Sequence, residues 1–214
     1  MIELLKYFYL FIIAYILGSI PTSVWIGKFF YNIDVREHGS KSSGATNTIR
    51  VLGLKAGIPV LLIDAFKGWA AVNLTFIISN PDGNDNQLIY FRLILGLFAI
   101  IGHIFPVLAQ FKGGKGVATL LGVFIAITPL ATLLSLGVFI IVFISTRFVS
   151  VSSMSAGLLF PVFIYFIKYQ NSTIQIIAIA VSALLIITHR NNIKRLIKGE
   201  ENRFNFKKKS PVKS

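Results

Sequence analysis

Long apolar runs alternate with short polar stretches along this chain. The first run, about Leu4–Phe29, is interrupted by Pro21 and closed by Lys28. It continues to Ile26 without a small-x-small cleavage pattern, so it reads as a membrane span rather than a signal peptide. Further runs cover about Ala56–Ile78, with Pro59 near its start, and Leu88–Leu108. Val117–Ser145 exceeds the roughly 20 residues that one crossing helix needs, and Thr128-Pro129 lies in its middle. Lys112 and Lys115 precede this segment and Arg147 follows it. Positive charge favours the cytoplasmic side, so both ends belong there and the number of passes between them is even. The segment therefore splits into a short helix, Val117–Ile127, and a second, Pro129–Ile144. The short one is expected to pack against other helices. Spans at Ser152–Ile167 and Ile174–Thr188 complete the set. The expected architecture is an all-α, polytopic membrane helix bundle. It has seven transmembrane helices, the N-terminus outside and the C-terminus cytoplasmic, in a single domain covering 1–214 with a basic tail from about 190.

Composition agrees with this reading. The chain has 214 residues, 55% of them hydrophobic and only 14% charged, with a mean hydropathy of +0.75. That is too apolar for a soluble domain of this size. The net charge of +13 fits membrane topology better than nucleic-acid binding, because the basic residues gather in particular loops. Lys6, Arg92 and Lys168 fall near the outer face and Lys67 within the second span. The other Lys and Arg fall inside. The tail beyond Arg190 is dense in Lys and Arg and suits anionic lipid headgroups. It lacks the interleaved aromatics of a nucleic-acid binder, apart from Phe204 and Phe206. No Cys is present, which excludes disulfides, thiol nucleophiles and thiolate metal sites.

Three polar clusters are expected on the inner face. The stretch Asp34 to Gly53 packs Gly39, Ser40, Ser42, Ser43, Gly44, Thr46 and Asn47 together, with Arg36, Lys41 and Arg50 among or beside them. Glycines let backbone N–H groups converge on a ligand, hydroxyls add donors, and arginine matches phosphate geometry. The stretch reads as an anion cradle, against the plainer reading of a solvated loop. Lys112-Gly113-Gly114-Lys115-Gly116 lies directly before the helix expected from Val117, an arrangement suited to anions. It is not a P-loop, since Val117 stands where Ser or Thr is required, and alone it is equally an ordinary basic turn. In His189-Arg190-Asn191-Asn192-Ile193-Lys194-Arg195, His189 and Asn192 share a helical face, as do Asn192 and Arg195. Snorkelling accounts for the basic residues there but not for His189 and Asn192.

Within the second span, Asp64 and Lys67 lie three apart, where they can pair or turn together toward a polar site. The three His, at 38, 103 and 189, have no metal-ligand spacing, so neither metal nor cofactor is expected. His103, beside Gly102 and Pro106, reads as a structural histidine with its hydrogen bonds satisfied. No GxSxG elbow occurs. The His-x4-Asp pair of the usual acyl-CoA acyltransferases is also absent.

The clusters, in this order, resemble the bacterial acyl-phosphate:glycerol-3-phosphate acyltransferase family, PlsY, over nearly the whole chain. The resemblance rests on Gly18-Ser19-Ile20-Pro21 with Gly27-Lys28, Asp34-x-Arg36, and Gly44-Ala45-Thr46-Asn47-x-x-Arg50-x-x-Gly53. It continues through Gly102-His103-x-x-Pro106, Phe111-Lys112-Gly113-Gly114-Lys115-Gly116-Val117-Ala118-Thr119 and His189-Arg190-x-Asn192-Ile193-x-Arg195-Leu196-x-x-Gly199-x-Glu201-Asn202. One departure stands out. The family usually reads Gly-Ser-Gly-Asn where this chain has Gly39-Ser40-Lys41-Ser42.

The resemblance implies transfer of a fatty acyl group from acyl phosphate to the 1-hydroxyl of sn-glycerol 3-phosphate. Products are lysophosphatidic acid and inorganic phosphate, the first step of phospholipid synthesis. The candidate catalytic residues are then Ser40, Arg50, Lys115, His189 and Asn192. Substrate and phosphate binding falls to Gly39, Ser42, Gly44, Thr46, Asn47, Lys112, Gly113, Gly114, Ser150 and Glu201. In that scheme Ser40, Thr46, Asn47 and Arg50 hold one phosphate, and Lys115 with its glycines holds the other. His189 and Asn192 orient glycerol 3-phosphate or the acyl carbonyl, and Glu201 fixes the tail. The substrate's own phosphate takes the hydroxyl proton, with His189 as the rival base. The expected partners are the two substrates and membrane lipids, with no nucleic acid, and a monomer is the default. The expected location is the bacterial cytoplasmic (inner) membrane, with the site facing the cytoplasm. The alternative reading is a membrane transporter of an organic phosphate.

Overall fold

The computed structural model describes residues 2–77, 85–167 and 172–204, with side chains from Tyr7 and, in the second stretch, from Gln87. Most of the loop expected over Ser79–Gln87, most of the turn expected at Tyr169–Thr173, and the tail beyond Phe204 lie outside the described residues. Among the described residues every regular element is helical. The α-helices are α1 (Ile2–Ser19), α2 (Thr22–Tyr31), α3 (Ala45–Leu52), α4 (Leu54–Asn73), α5 (Asp85–Ile104), α6 (Val117–Ile127), α7 (Pro129–Thr146), α8 (Val149–Phe166), α9 (Ser172–Thr188) and α10 (Arg190–Ile197). Short 3-10 turns cover Val35–Glu37, Leu74–Ile77 and Val107–Ala109. The chain divides into two compact units between Ile127 and Thr128.

Among the described residues, four helical stretches are long and apolar enough to cross a membrane: Leu54–Ile77, Gln87–Ala109, Pro129–Thr146 and Val149–Phe166. Two bent pairs, Tyr7–Ser19 with Thr22–Tyr31 (43°) and Ser172–Thr188 with Arg190–Ile197 (56°), raise the number to six if each is one span. The apolar helix Val117–Ile127 is shorter. Large side chains such as Phe66, Ile141 and Ile144 point outward, at 62%, 67% and 71% exposure. Such outward faces suit hydrocarbon rather than water.

In the first unit, Leu10 and Ala14 of α1, Ala71 of α4, and Leu95 and Ala99 of α5 form one buried cluster. Between α4 and α6 the backbones nearly touch. A Cβ on Gly68 would strike the Thr119 carbonyl, and one on Gly122 the Ala65 carbonyl. Small residues permit such contact where lipid gives helices no hydrophobic reason to associate. Below the polar stretch, Val35, Val51, Leu52 and Ala56 make a second cluster that anchors it.

In the second unit, α7 packs on α8 and α8 on α9. Pro161 lies inside α8 and has no N–H to give the Gly157 carbonyl one turn back. The Ser182 hydroxyl of α9 donates to that carbonyl instead. A single proline thereby ties two apolar helices together.

Candidate functional site

The polar stretch folds onto the N-terminal end of α3. Asn47, in the first turns of that helix, is 2% exposed. Its side-chain carbonyl accepts the Ser40 amide at 2.8 Å and the Ser40 hydroxyl at 3.1 Å. Its NH2 group donates to the Val35 carbonyl at 2.7 Å and the His38 carbonyl at 3.1 Å. Two donors and two acceptor positions exhaust the amide. Asn47 therefore shapes the loop and holds Ser40 in place. The loop turns at Gly39 (φ 60) and at Lys41 (φ 58), both left-handed. Only glycine adopts that region without a steric cost. A Cβ on Gly39 would collide with the Asn47 carbonyl oxygen and lie against the Arg50 stem. Gly39, Ser40, Asn47 and Arg50 are thus brought together. Gly44 caps α3 with open space where its Cβ would be. Ser42 and Thr46 are half-buried beside it.

A second clamp fixes the entry to this loop. Asp34 accepts from the Arg36 backbone N–H, Nε and Nη2, and pairs with Lys28 at 3.2 Å. The Arg36 guanidinium holds the Asp34 carboxyl well below the usual carboxylate range. Arg36 Nη1 donates to the Ala109 carbonyl at 3.1 Å, which ties the cradle to the turn before the glycine loop.

The glycine loop lies against the same structure. Gly114 N–H donates to the His103 carbonyl at 3.2 Å. A Cβ on Gly114 would meet His103 Nε2 and the Ser43 carbonyl, and one on Gly113 the carbonyls of His103 and Ile104. Only glycines let this backbone approach so closely. Lys112 is exposed and Lys115 half-buried. The first two predicted clusters therefore share one neighbourhood.

In the second unit, Glu201 is the hub. Its Oε1 accepts Ser150 Oγ at 2.8 Å and Asn192 Nδ2 at 2.6 Å, and its Oε2 accepts Arg195 Nε at 2.7 Å. Burial pushes the Glu201 carboxyl up, but the donors Arg195, Asn192 and Ser150 outweigh it and bring it below its ordinary value. The segment after α10 folds over the turn between α7 and α8. The Phe204 amide donates to the Arg147 carbonyl, and Arg203 sits over the Phe148 ring. His189, 2% exposed, stands at the bend between α9 and α10, where its Nδ1 lies 2.8 Å from the Leu185 carbonyl. A carbonyl only accepts, so Nδ1 carries a proton and donates to it. Ser150 and Asn192 thus meet on the Glu201 carboxylate, and His189 lies one turn before Asn192.

Three features escaped the sequence. One is the reach of Arg36 to Ala109. Another is the Ser23–Ser43 hydroxyl contact at 2.8 Å. The third is that buried His103 has no hydrogen-bond partner for its Nδ1 among the described residues. The GHxxP spacing gave no hint of that. Among the described residues no group of acidic, His or Cys side chains could hold a metal ion.

Residues 8–199 match the family model described as glycerol-3-phosphate acyltransferase. A glycerol-3-phosphate acyltransferase of Fusobacterium nucleatum is 43% identical over 94% of this chain and 100% of its own length. Glycerol-3-phosphate acyltransferase 2 of Bacillus anthracis is 43% identical over 90% of this chain and 96% of its own. Two crystal structures of PlsY, an integral membrane glycerol 3-phosphate acyltransferase, are also similar. The glycerol 3-phosphate form has a TM-score of 0.83 at 37% identity, covering 94% of this chain and 96% of that one. The lysophosphatidic acid form has a TM-score of 0.80 at 35% identity, with the same coverage.

Proposed function

We infer the reaction from one premise: this chain belongs to the glycerol-3-phosphate acyltransferase family. It is a membrane acyltransferase that converts glycerol 3-phosphate to lysophosphatidic acid. The transporter alternative falls with that membership. The donor we propose is acyl phosphate. The 1-hydroxyl oxygen attacks the acyl carbon, the carbon–oxygen bond to phosphate breaks, and inorganic phosphate leaves with the hydroxyl proton.

The observation that carries this reading is the union of two anion loops in one neighbourhood. The Asn47 clamp presents Ser40 beside Arg50, and Gly114 of the second loop sits against the Ser43 carbonyl of the first. Two substrates, each bearing a phosphate, call for two such loops. Ser40, Thr46 and Arg50 hold one phosphate, with Gly39, Ser42 and Gly44 shaping that loop. Lys115, Lys112, Gly113 and Gly114 hold the other. Asn47 supports the first loop rather than binding through its own amide. His189 and Asn192 orient glycerol 3-phosphate or the acyl carbonyl, and Asn192 and Ser150 are set by Glu201. Catalysis is positioning plus electrostatic stabilisation of the carbonyl oxygen and the leaving phosphate. No cofactor is needed.

Seven spans, counting Val117–Ile127, put the basic loops on the cytoplasmic side of the inner membrane with the N-terminus outside, which suits soluble phosphorylated substrates. The test is an assay of purified protein in lipid with palmitoyl phosphate, with and without glycerol 3-phosphate. Lysophosphatidic acid and phosphate are expected in equal amounts, and only when glycerol 3-phosphate is present. Phosphate release without lysophosphatidic acid would contradict the proposal.

A further inference from the structure

A buried polar network lies beneath the two loops, and the reaction above does not use it. Asp64 and Lys67 of α4 pair at 2.9 Å, at 2% and 4% side-chain exposure. Lys67 Nζ also donates to the Ile20 carbonyl at 3.1 Å, at the break between α1 and α2. Asp64 Oδ1 also accepts the Thr22 hydroxyl at 2.9 Å. On α5, His103 Nδ1 lies 3.8 Å from the same Asp64 oxygen, beyond direct hydrogen-bond distance. These side chains, with Ser23 and Ser43, line a cavity of about 10 Å³.

That volume and that polarity suit one water, which needs two to four polar partners. The orphaned imidazole nitrogen is one partner. The Asp64 carboxylate is the second, and it only accepts, so the water donates to it. The Ser23 and Ser43 hydroxyls line the same space. The far edge of the imidazole, Nε2, is the surface against which Gly114 packs, and the His103 carbonyl holds the Gly114 amide. A buried ion pair is an inefficient source of stability. A fully satisfied polar network, by contrast, specifies one geometry. Here it joins the break in the first helix pair, the cradle at Ser43 and the glycine loop.

We propose that this cavity binds one structural water between His103 Nδ1 and Asp64, and that His103, held through it, is a positioning residue for the Lys112–Gly116 loop. The functional half rests on the reading of that loop as a phosphate site. The water itself does not.

Two measurements test it. The first is an experimental structure of the whole protein at a resolution that shows ordered waters. One water within hydrogen-bond distance of His103 Nδ1 and Asp64 is expected, and a cavity without one overturns the proposal. The second compares His103→Asn, whose amide reaches the position of Nδ1, with His103→Leu, in lipid, with thermal unfolding as a check on folding. His103→Leu is expected to raise the KM for one phosphorylated substrate about tenfold with kcat within about threefold. His103→Asn is expected to restore most of that loss. Equal kinetics in both variants and the wild type, or equal loss of kcat and KM effects in both, would overturn the positioning role. If His103→Leu does not fold, the double variant Asp64→Leu with Lys67→Met removes both charges and the water's acceptor together and leaves no charge unpaired. It is expected to fold and to show the same KM rise, and an unchanged KM would contradict the proposal. Wild-type activity, read in the same assay, reports separately on the reaction assigned above.

Discussion

Asn47 holds Ser40 by two hydrogen bonds to one oxygen, from the Ser40 amide at 2.8 Å and its hydroxyl at 3.1 Å. The two residues thus have different roles, and variants separate them. Asn47→Ala leaves the Ser40 N–H without its acceptor and removes one of two donors from each of the Val35 and His38 carbonyls, a loss costing about 1–3 kcal/mol. It is expected to lower both the unfolding temperature and kcat/KM. Ser40→Ala is expected to lower kcat/KM while leaving the unfolding temperature nearly unchanged. Equal thermal losses in the two would show that Ser40 is only structural.

Lys41 carries a left-handed backbone at φ 58. A side chain there costs about 1–2 kcal/mol, part of which glycine gives back as entropy of the unfolded chain. Lys41→Gly is therefore expected to stabilise the protein by about 1 kcal/mol, read as a higher unfolding temperature in detergent. A lower one would mean that the lysine side chain contributes contacts that outweigh the strain.

Much of the helical layout was legible in the sequence. The predicted break at Thr128 is where α6 ends and α7 begins, with Pro129 as the first residue of the new helix. The spacing of Asp64 and Lys67 allowed either a pair or a shared polar site, and the structure pairs them. The chemistry of Asn47 did not. Residue type and neighbourhood marked it as a ligand, but its four hydrogen bonds are spent on Val35, His38 and Ser40. Only coordinates reveal how a donor is used. Arg36 meeting Ala109 and His103 meeting Asp64 join residues far apart in the chain, and no local periodicity encodes such contacts. The polar end of the fold was harder to read than the apolar one for that reason.

Glu201 gives a pH signature. Its folded carboxyl lies below its ordinary value because Arg195, Asn192 and Ser150 donate to it despite burial. A depressed carboxyl contributes stability above its unfolded pKa of about 4.3 and loses it as pH falls through the folded value. The stability gap between wild type and Glu201→Gln is expected to be full at pH 7 and to shrink below about pH 4. A gap that stays constant over that range would contradict the assignment.

His189 is fixed with Nδ1 toward the Leu185 carbonyl, which suits an orienting role. If the substrate phosphate takes the proton, His189→Gln keeps most of its turnover. Loss of a general base costs about 10²–10⁴-fold, so a fall of that size in kcat would make His189 the base instead.

The most direct measurement offers the purified protein in lipid glycerol 3-phosphate with either palmitoyl phosphate or palmitoyl-CoA, and follows lysophosphatidic acid over time. Product is expected from the acyl phosphate and none from the thioester. Product from the thioester alone would contradict the proposed donor, because the second phosphate-binding loop would then have no acyl phosphate to hold.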